Sequence, residues 1–289
     1  MSADTLETYR HSGKFNPSGP VLALGAAVVL AVPLGLAYAY LIRWVPFIYL
    51  NMLATCAYGG VFGWMTMRLL KAGHVRNAAF AALVGAGAGL LALYGEWSGH
   101  LHALLEDGPW VFAPDEILRG MQVLYAEGSW GMKHGGNVTG IPLALVWVAE
   151  AGLIVGFATM LPYGFVVGTP YCEKSRCWLD EEKKINTLES ITDPVQLAAL
   201  KAGDIMPVVA AKPKAADAAV FTRLWLKRSP QCPVFCTLRV QDITVTVDKK
   251  GNLRESAKDL TGDLIIPASM FELMTKFEEF TPAPPAPPA

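Results

Sequence analysis

Residues 142–167 read PLALVWVAEAGLIVGFATMLPYGFVV, and residues 168–177 read GTPYCEKSRC. The first stretch is apolar over more than the ~20 residues that a helix needs to cross about 30 Å of hydrocarbon. Its one charged residue is Glu150. The second stretch opens on Gly-Thr-Pro and then brings two cysteines among Glu173, Lys174 and Arg176. A membrane helix therefore ends, and a water-facing segment begins, near Gly168–Tyr171.

Three more stretches of this kind lie upstream. Val21–Ile42 carries no charge, and Pro33 is expected to kink it. Phe47–Leu69 has Trp64 and Arg68 toward its end. Asn77–Tyr94 is shorter but apolar throughout. Hydrophobic residues make up 53% of the 289 residues and charged residues 17%. Soluble domains hold roughly 45–50% and about 25%, so the excess has to sit in lipid, and it is concentrated before residue 170. The expected fold class is a membrane all-α bundle of about four transmembrane helices, followed by a C-terminal soluble α+β domain.

The domain plan follows. Residues 1–19 form a polar N-terminal arm, and 20–169 the transmembrane domain with an extracytoplasmic loop at 96–141. Residues 170–280 form the soluble domain, and 281–289 a disordered Pro/Ala tail. The arm is not a signal peptide. The apolar run after it is too long and lacks a small-residue cleavage site, so Val21 onward reads as a retained helix. Within the long loop, Ala113–Trp130 has acids in its first turn and apolar residues at three-to-four spacing. It reads as an amphipathic helix that lies on the membrane surface or caps the bundle.

Lys and Arg near the membrane ends set the orientation. Arg10 and Lys14, then Arg68, Lys71 and Arg76, then Lys174, Arg176, Lys183 and Lys184 fall on one side; Arg43, Arg119 and Lys133 fall on the other. Both termini are therefore expected in the cytoplasm of a multi-pass cell-membrane protein. If Asn77–Tyr94 did not span, the loop and the C-terminal domain would exchange sides.

In the soluble part, Asp180–Leu200 reads as helical, with Asp193–Pro194 starting a second short helical turn. Val208–Ala219 reads as a linker. Ala219–Arg228 and Val234–Val247 read as strands, joined onward by a turn at Asp248–Asn252. Ala268–Phe280 reads as an amphipathic helix with Met270, Leu273, Met274 and Phe277 in one stripe, packed on the domain's own strands or docking a partner.

Four constellations could carry chemistry. Cys172 and Cys177, with Cys232 and Cys236, form two pairs of the kind that hold a structural zinc through four thiolates. A reducing cytoplasm favours metal over disulfide; the alternatives are plain packing or, with inverted topology, a disulfide. The spacings, four and three intervening residues, are looser than the two-residue zinc knuckle. Cys56 reads as a packing residue. Glu150 lies in the middle of the fourth span, where a charge is costly. It reads as a proton or cation relay, or as a neutral acid bonded to Asn51, Thr55 or Tyr58. No second acid or base is expected beside it. Glu96, His100, His102 and His134 gather on the outer side as weak metal candidates, with interfacial anchoring as the alternative. Gly59 and Gly63, and Gly85 and Gly89, follow the small-xxx-small pattern for close helix approach or oligomers.

The net charge of −1 provides no basic field for nucleic acid, and no catalytic motif is present. The expected function is a membrane anchor, scaffold or assembly component that presents a soluble interaction domain, with the lipid bilayer, a second copy or a membrane complex as partners. The alternative is a small transporter or channel built on Glu150.

Overall fold

The computed structural model describes residues 6–45, 47–105, 108–128, 137–215 and 217–279. They form two compact units. One is Ser12–Gly168, and the other joins residues up to His11 with those from Thr169 onward.

The first unit holds α1 (Ser18–Trp44), α2 (Ile48–Ala72), α3 (Ala78–Leu104), α4 (Pro114–Glu127) and α5 (Gly140–Gly168). α1, α3 and α5 are each long and apolar enough to cross a membrane. α2 has 25 residues and is more polar, with Asn51, Thr55, Thr66, Arg68 and Lys71 along it. α1 stays helical through Pro33, and α5 through Pro162. The Asn77 side chain caps α3 by accepting from the Phe80 amide at 2.9 Å.

Small residues set the packing. A Cβ added at Gly59 or Gly63 on α2, or at Gly85 or Gly89 on α3, would run into the backbone of α5 between Ile154 and Thr159. Both expected glycine pairs therefore face the same helix. Gly35 and Gly95 bring α1 and α3 equally close. The order of these contacts makes α1 and α3 parallel to each other and antiparallel to α2 and α5, an up-down-up-down arrangement. Apolar cores here need such close van der Waals contact, because lipid tails are as apolar as the side chains they would leave. α4 lies in the α3–α5 connection and packs Ile117, Met121 and Leu124 on Trp97, Leu101 and Trp147. It caps the bundle, while Leu118 and Val123 stay exposed on its other face.

The sequence placed the end of the third helix at Tyr94, and the structure carries it on to Leu104. The Gly95-Glu96 pair reads locally as a break. In the bundle, Gly95 is instead the point where α1 comes closest, and Glu96 is turned inward, 4% exposed.

The second unit begins with a small hairpin, β1 (Tyr171–Cys172) and β2 (Cys177–Trp178), followed by β3 (Glu181–Glu189), α6 (Pro194–Lys201), α7 (Met206–Val209), β4 (Val220–Arg228), β5 (Phe235–Val247), β6 (Leu253–Asp259), β7 (Leu264–Pro267) and α8 (Ala268–Thr275). The main sheet runs β3-β4-β5-β6, all antiparallel, and β7 pairs with the first half of β5. Its core gathers Ile185, Leu224, Leu226, Leu238, Val240 and Ile266.

β3 corrects the helix expected over Asp180–Leu200. Its Glu and Lys residues favour helix in isolation. Here Ile185 and Leu188 point into the core while the Glu and Lys side chains reach β4 and its neighbours: Arg228 Nε donates to Glu181 at 2.9 Å and Trp225 Nε1 to Glu182 at 3.1 Å. Helix resumes only at α6, which Asp193 caps by accepting from Val195 at 3.0 Å. The segment read as a linker from Val208 begins inside α7 and then docks on β3, where Lys214 N donates to Thr187 O at 2.8 Å. β4, β5 and the turn around Gly251 (φ 82°) lie where the sequence placed them. α8 packs Phe271 and Met274 into the core, with Met270 and the following Phe277 against it; Leu273 faces out. The Pro/Ala tail lies outside the described residues.

The arm is not free. Leu6 packs against the core, Ile265 N donates to Glu7 O at 2.8 Å, and Tyr9 N donates to Asp263 O at 2.6 Å. The Tyr9 hydroxyl accepts from Tyr171 N at 2.8 Å, and its ring stacks on Phe235 with centroids 6.4 Å apart. Residues 6–11 thus extend the sheet beside β7. The plan that made 1–19 one arm divides at His11–Ser12.

Candidate functional site

Two groups of side chains in separate units are candidates. The first lies inside the bundle. Glu150 on α5 accepts a hydrogen bond from the Tyr38 hydroxyl of α1. The Thr55 hydroxyl of α2 lies 2.6 Å from the Tyr38 oxygen and 2.9 Å from Asn51 O; with Tyr38 donating to Glu150, the one Thr55 proton serves the bond to Tyr38. The Tyr38 ring stacks on Tyr58 with centroids 4.7 Å apart, and Tyr58 donates to Ala92 O on α3 at 2.8 Å. Of the partners expected for Glu150, Thr55 is reached through Tyr38, which the sequence did not single out.

Glu96 completes this group. It is buried on α3 one turn beyond Ala92, whose carbonyl accepts from Tyr58. The expectation of a lone acid at this depth is therefore wrong. The signal that could have found Glu96 is the small-residue run at three-to-four spacing, which continues through Ala88, Ala92, Gly95 and Gly99 past the proposed helix end.

Among the described residues, Glu96, His100 and His102 do not gather into a metal-holding group. Glu96 belongs to the bundle interior. His100 meets the edge of Trp97 at 5.8 Å, and His102 stacks on Trp110 at 4.2 Å. His134 lies outside the described residues.

The second group is in the other unit. β1 and β2 place Cys172 and Cys177 directly opposite each other, and the loop before β5 brings Cys232 to them. The three sulfurs lie within 4.8 Å of one another, and all three residues are buried. Arg176 takes φ 55° to close this short hairpin, a conformation that Gly or Asn adopts more readily. Ser175 N donates to Cys172 Sγ at 3.5 Å. Among the described residues, this is the His/Cys/Asp/Glu cluster whose geometry could hold a metal ion. Tetrahedral Zn–S bonds of about 2.3 Å would put the sulfurs about 3.8 Å apart, a small contraction.

Cys236 does not join them. It sits in the sheet core, its thiol 3.6 Å from Pro267 O. The β5 pleat explains this, since Cys236 is committed to the strand while Cys232 remains in the loop. Burial pushes the Cys177 thiol up. Burial also opposes the thiolate at Cys232, but hydrogen bonds from the Cys172 thiol and from the Phe235 and Val234 amides outweigh it and hold Cys232 below the ordinary thiol range. Burial pushes Cys236 up to about 12. Cys232 is thus held toward the thiolate that metal binding requires, and Cys236 is held away from it.

The chain matches no protein-family model, no curated protein and no solved structure.

Proposed function

We propose that this is a four-span membrane protein that anchors its C-terminal domain on the cytoplasmic face and presents it for assembly with a membrane complex or a second copy. One observation supports the span count. Residues 6–11, before α1, and residues from Thr169, after α5, build one sheet. They must share a side, so the chain between them crosses an even number of times. α1, α3 and α5 supply three crossings, and α2 supplies the fourth. The distribution of Lys and Arg assigns that side to the cytoplasm.

The thiol cluster fits this reading as a structural zinc site in a reducing compartment, with Cys172, Cys177 and Cys232 as ligands. A staple there would join the hairpin that follows α5 to the loop before β5.

Reporter fusions test the topology. A phosphatase active only outside the cytoplasm should be active when fused in the α1–α2 turn or the α3–α5 connection, and inactive after Gly73 or Glu279. Activity after Glu279 would remove the cytoplasmic placement, and activity there without activity after Gly73 would remove the four-span count as well.

A further inference from the structure

Zinc takes four ligands in a tetrahedron, and the side chains that serve are those of Cys, His, Asp and Glu. Among the described residues, the thiol cluster brings three of these within 4.8 Å of one another, Cys172, Cys177 and Cys232, and no fourth. Cys236 is committed to the sheet core, with its thiol on Pro267 O. The hydroxyls nearby are used on sulfur: Ser229 hydrogen-bonds Cys177, and Ser175 hydrogen-bonds Cys232. On its apolar side the cluster packs on Leu179 and Phe235, whose side chains hold no donor atom for a metal. The rest of its cover is thin. Lys174 and Arg176 in the hairpin loop are exposed, and so are Gln231 and Pro233 on either side of Cys232. Three protein ligands near the surface are the arrangement in which a metal keeps one coordination position for a ligand from outside.

We propose that the three-cysteine centre keeps its fourth coordination position for a thiolate supplied by another molecule. This rests on the zinc reading above and names what completes the site. Three thiolates over-neutralise a divalent ion and soften it, so a further sulfur donor suits the remaining position better than water does. Lys174 and Arg176, in the loop that joins Cys172 to Cys177, offset the added negative charge. A second copy of this chain has no exposed cysteine to lend. Cys172, Cys177, Cys232 and Cys236 are buried, and Cys56 is half-buried on α2. The thiolate therefore comes from a small molecule or from a cysteine of a different protein, and a partner's cysteine would close the site at an assembly surface.

Cobalt(II) tests this, because it takes the place of zinc and its visible spectrum reports the ligands. The full chain in detergent micelles, kept reduced by a phosphine that adds no thiol, is loaded with Co(II). It should show a sulfur-to-cobalt charge-transfer band that is lost in Cys232→Ser and unchanged in Cys236→Ser. Mercaptoethanol should raise that band by about one third, as three metal–sulfur bonds become four, and dialysis should reverse the change. A second titration uses a peptide with one central cysteine. A response to both probes means that a protein's cysteine reaches the metal; a response to mercaptoethanol alone makes a small thiol the ligand. No response to either probe, or a weaker band in Cys236→Ser, would overturn the proposal and leave the metal site standing. A spectrum altered by Glu173→Gln would make Glu173 the fourth ligand and would also overturn it. No charge-transfer band at all would remove the metal site itself, and the zinc reading with it. The wild-type titrations need no variant to fold.

Discussion

Replacing Gly59 with Ala tests the helix packing where α2 meets α5. The new methyl carbon would lie 2.7 Å from the Ile154 carbonyl oxygen, 2.8 Å from its Cα and 3.1 Å from its carbonyl carbon. Comfortable carbon contacts are at about 3.5–4.0 Å, so α2 and α5 must part by about 1 Å. All three obstacles are backbone atoms, and no side chain can swing away to relieve them. Overpacking of this kind costs about 1–3 kcal/mol. Against it stands the better helix propensity of Ala, worth up to about 1 kcal/mol over Gly. Gly60→Ala is the matched control, because a Cβ there meets nothing within 4 Å. The propensity gain is common to both variants and cancels between them. Gly59→Ala should therefore be about 1–3 kcal/mol less stable than Gly60→Ala. Unfolding of the full chain in mixed micelles with rising SDS, followed by circular dichroism, measures the difference. Equal stability of the two variants would refute the α2–α5 contact and the role given to the small-residue pattern.

Three further outcomes are expected. Metal analysis of the purified full chain should find about one zinc per chain, lost in Cys232→Ser and kept in Cys236→Ser; a loss in both would restore the four-cysteine arrangement. Tyr9→Ala removes the Tyr171 hydrogen bond and the stack on Phe235, worth about 2 kcal/mol together, so the Ile265 amide, which donates to Glu7, should exchange faster with deuterium while the bundle amides stay unchanged. Cys236 has a native value raised from 9.0 to about 12, so between these values the native state holds a proton that the unfolded state has lost. Its contribution is complete below pH 9 and declines as pH rises. An alkaline unfolding series should show this slope, and Cys236→Val should flatten it.

Much of the helical unit was readable in the sequence. Lipid imposes one requirement, a long apolar helix, and that leaves a composition signal which local reading detects. Gly59, Gly63, Gly85 and Gly89 could be singled out because close approach needs small residues at fixed spacing. β4 and β5 were readable as well, since their Val, Thr, Phe and Leu residues agree with their place in the sheet. β3 was not. Its Glu and Lys residues favour helix locally, and only the pairing with β4, with Arg228 and Trp225 across from it, makes it a strand.

By itself the sequence determined the apolar spans, the break after Gly168 and the candidate residues at Glu150 and the cysteines. These depend on composition and on short-range periodicity. Tertiary structure alone decided which residues meet. It turned Glu96 into the bundle, placed Tyr38 against Glu150, separated Cys236 from the other three thiols and tied residues 6–11 into a sheet that forms more than 150 positions later. Each of these is a contact between segments distant in the chain. Helix propensity and hydropathy are sums over neighbours, and they hold no information about which distant segment will come to lie alongside.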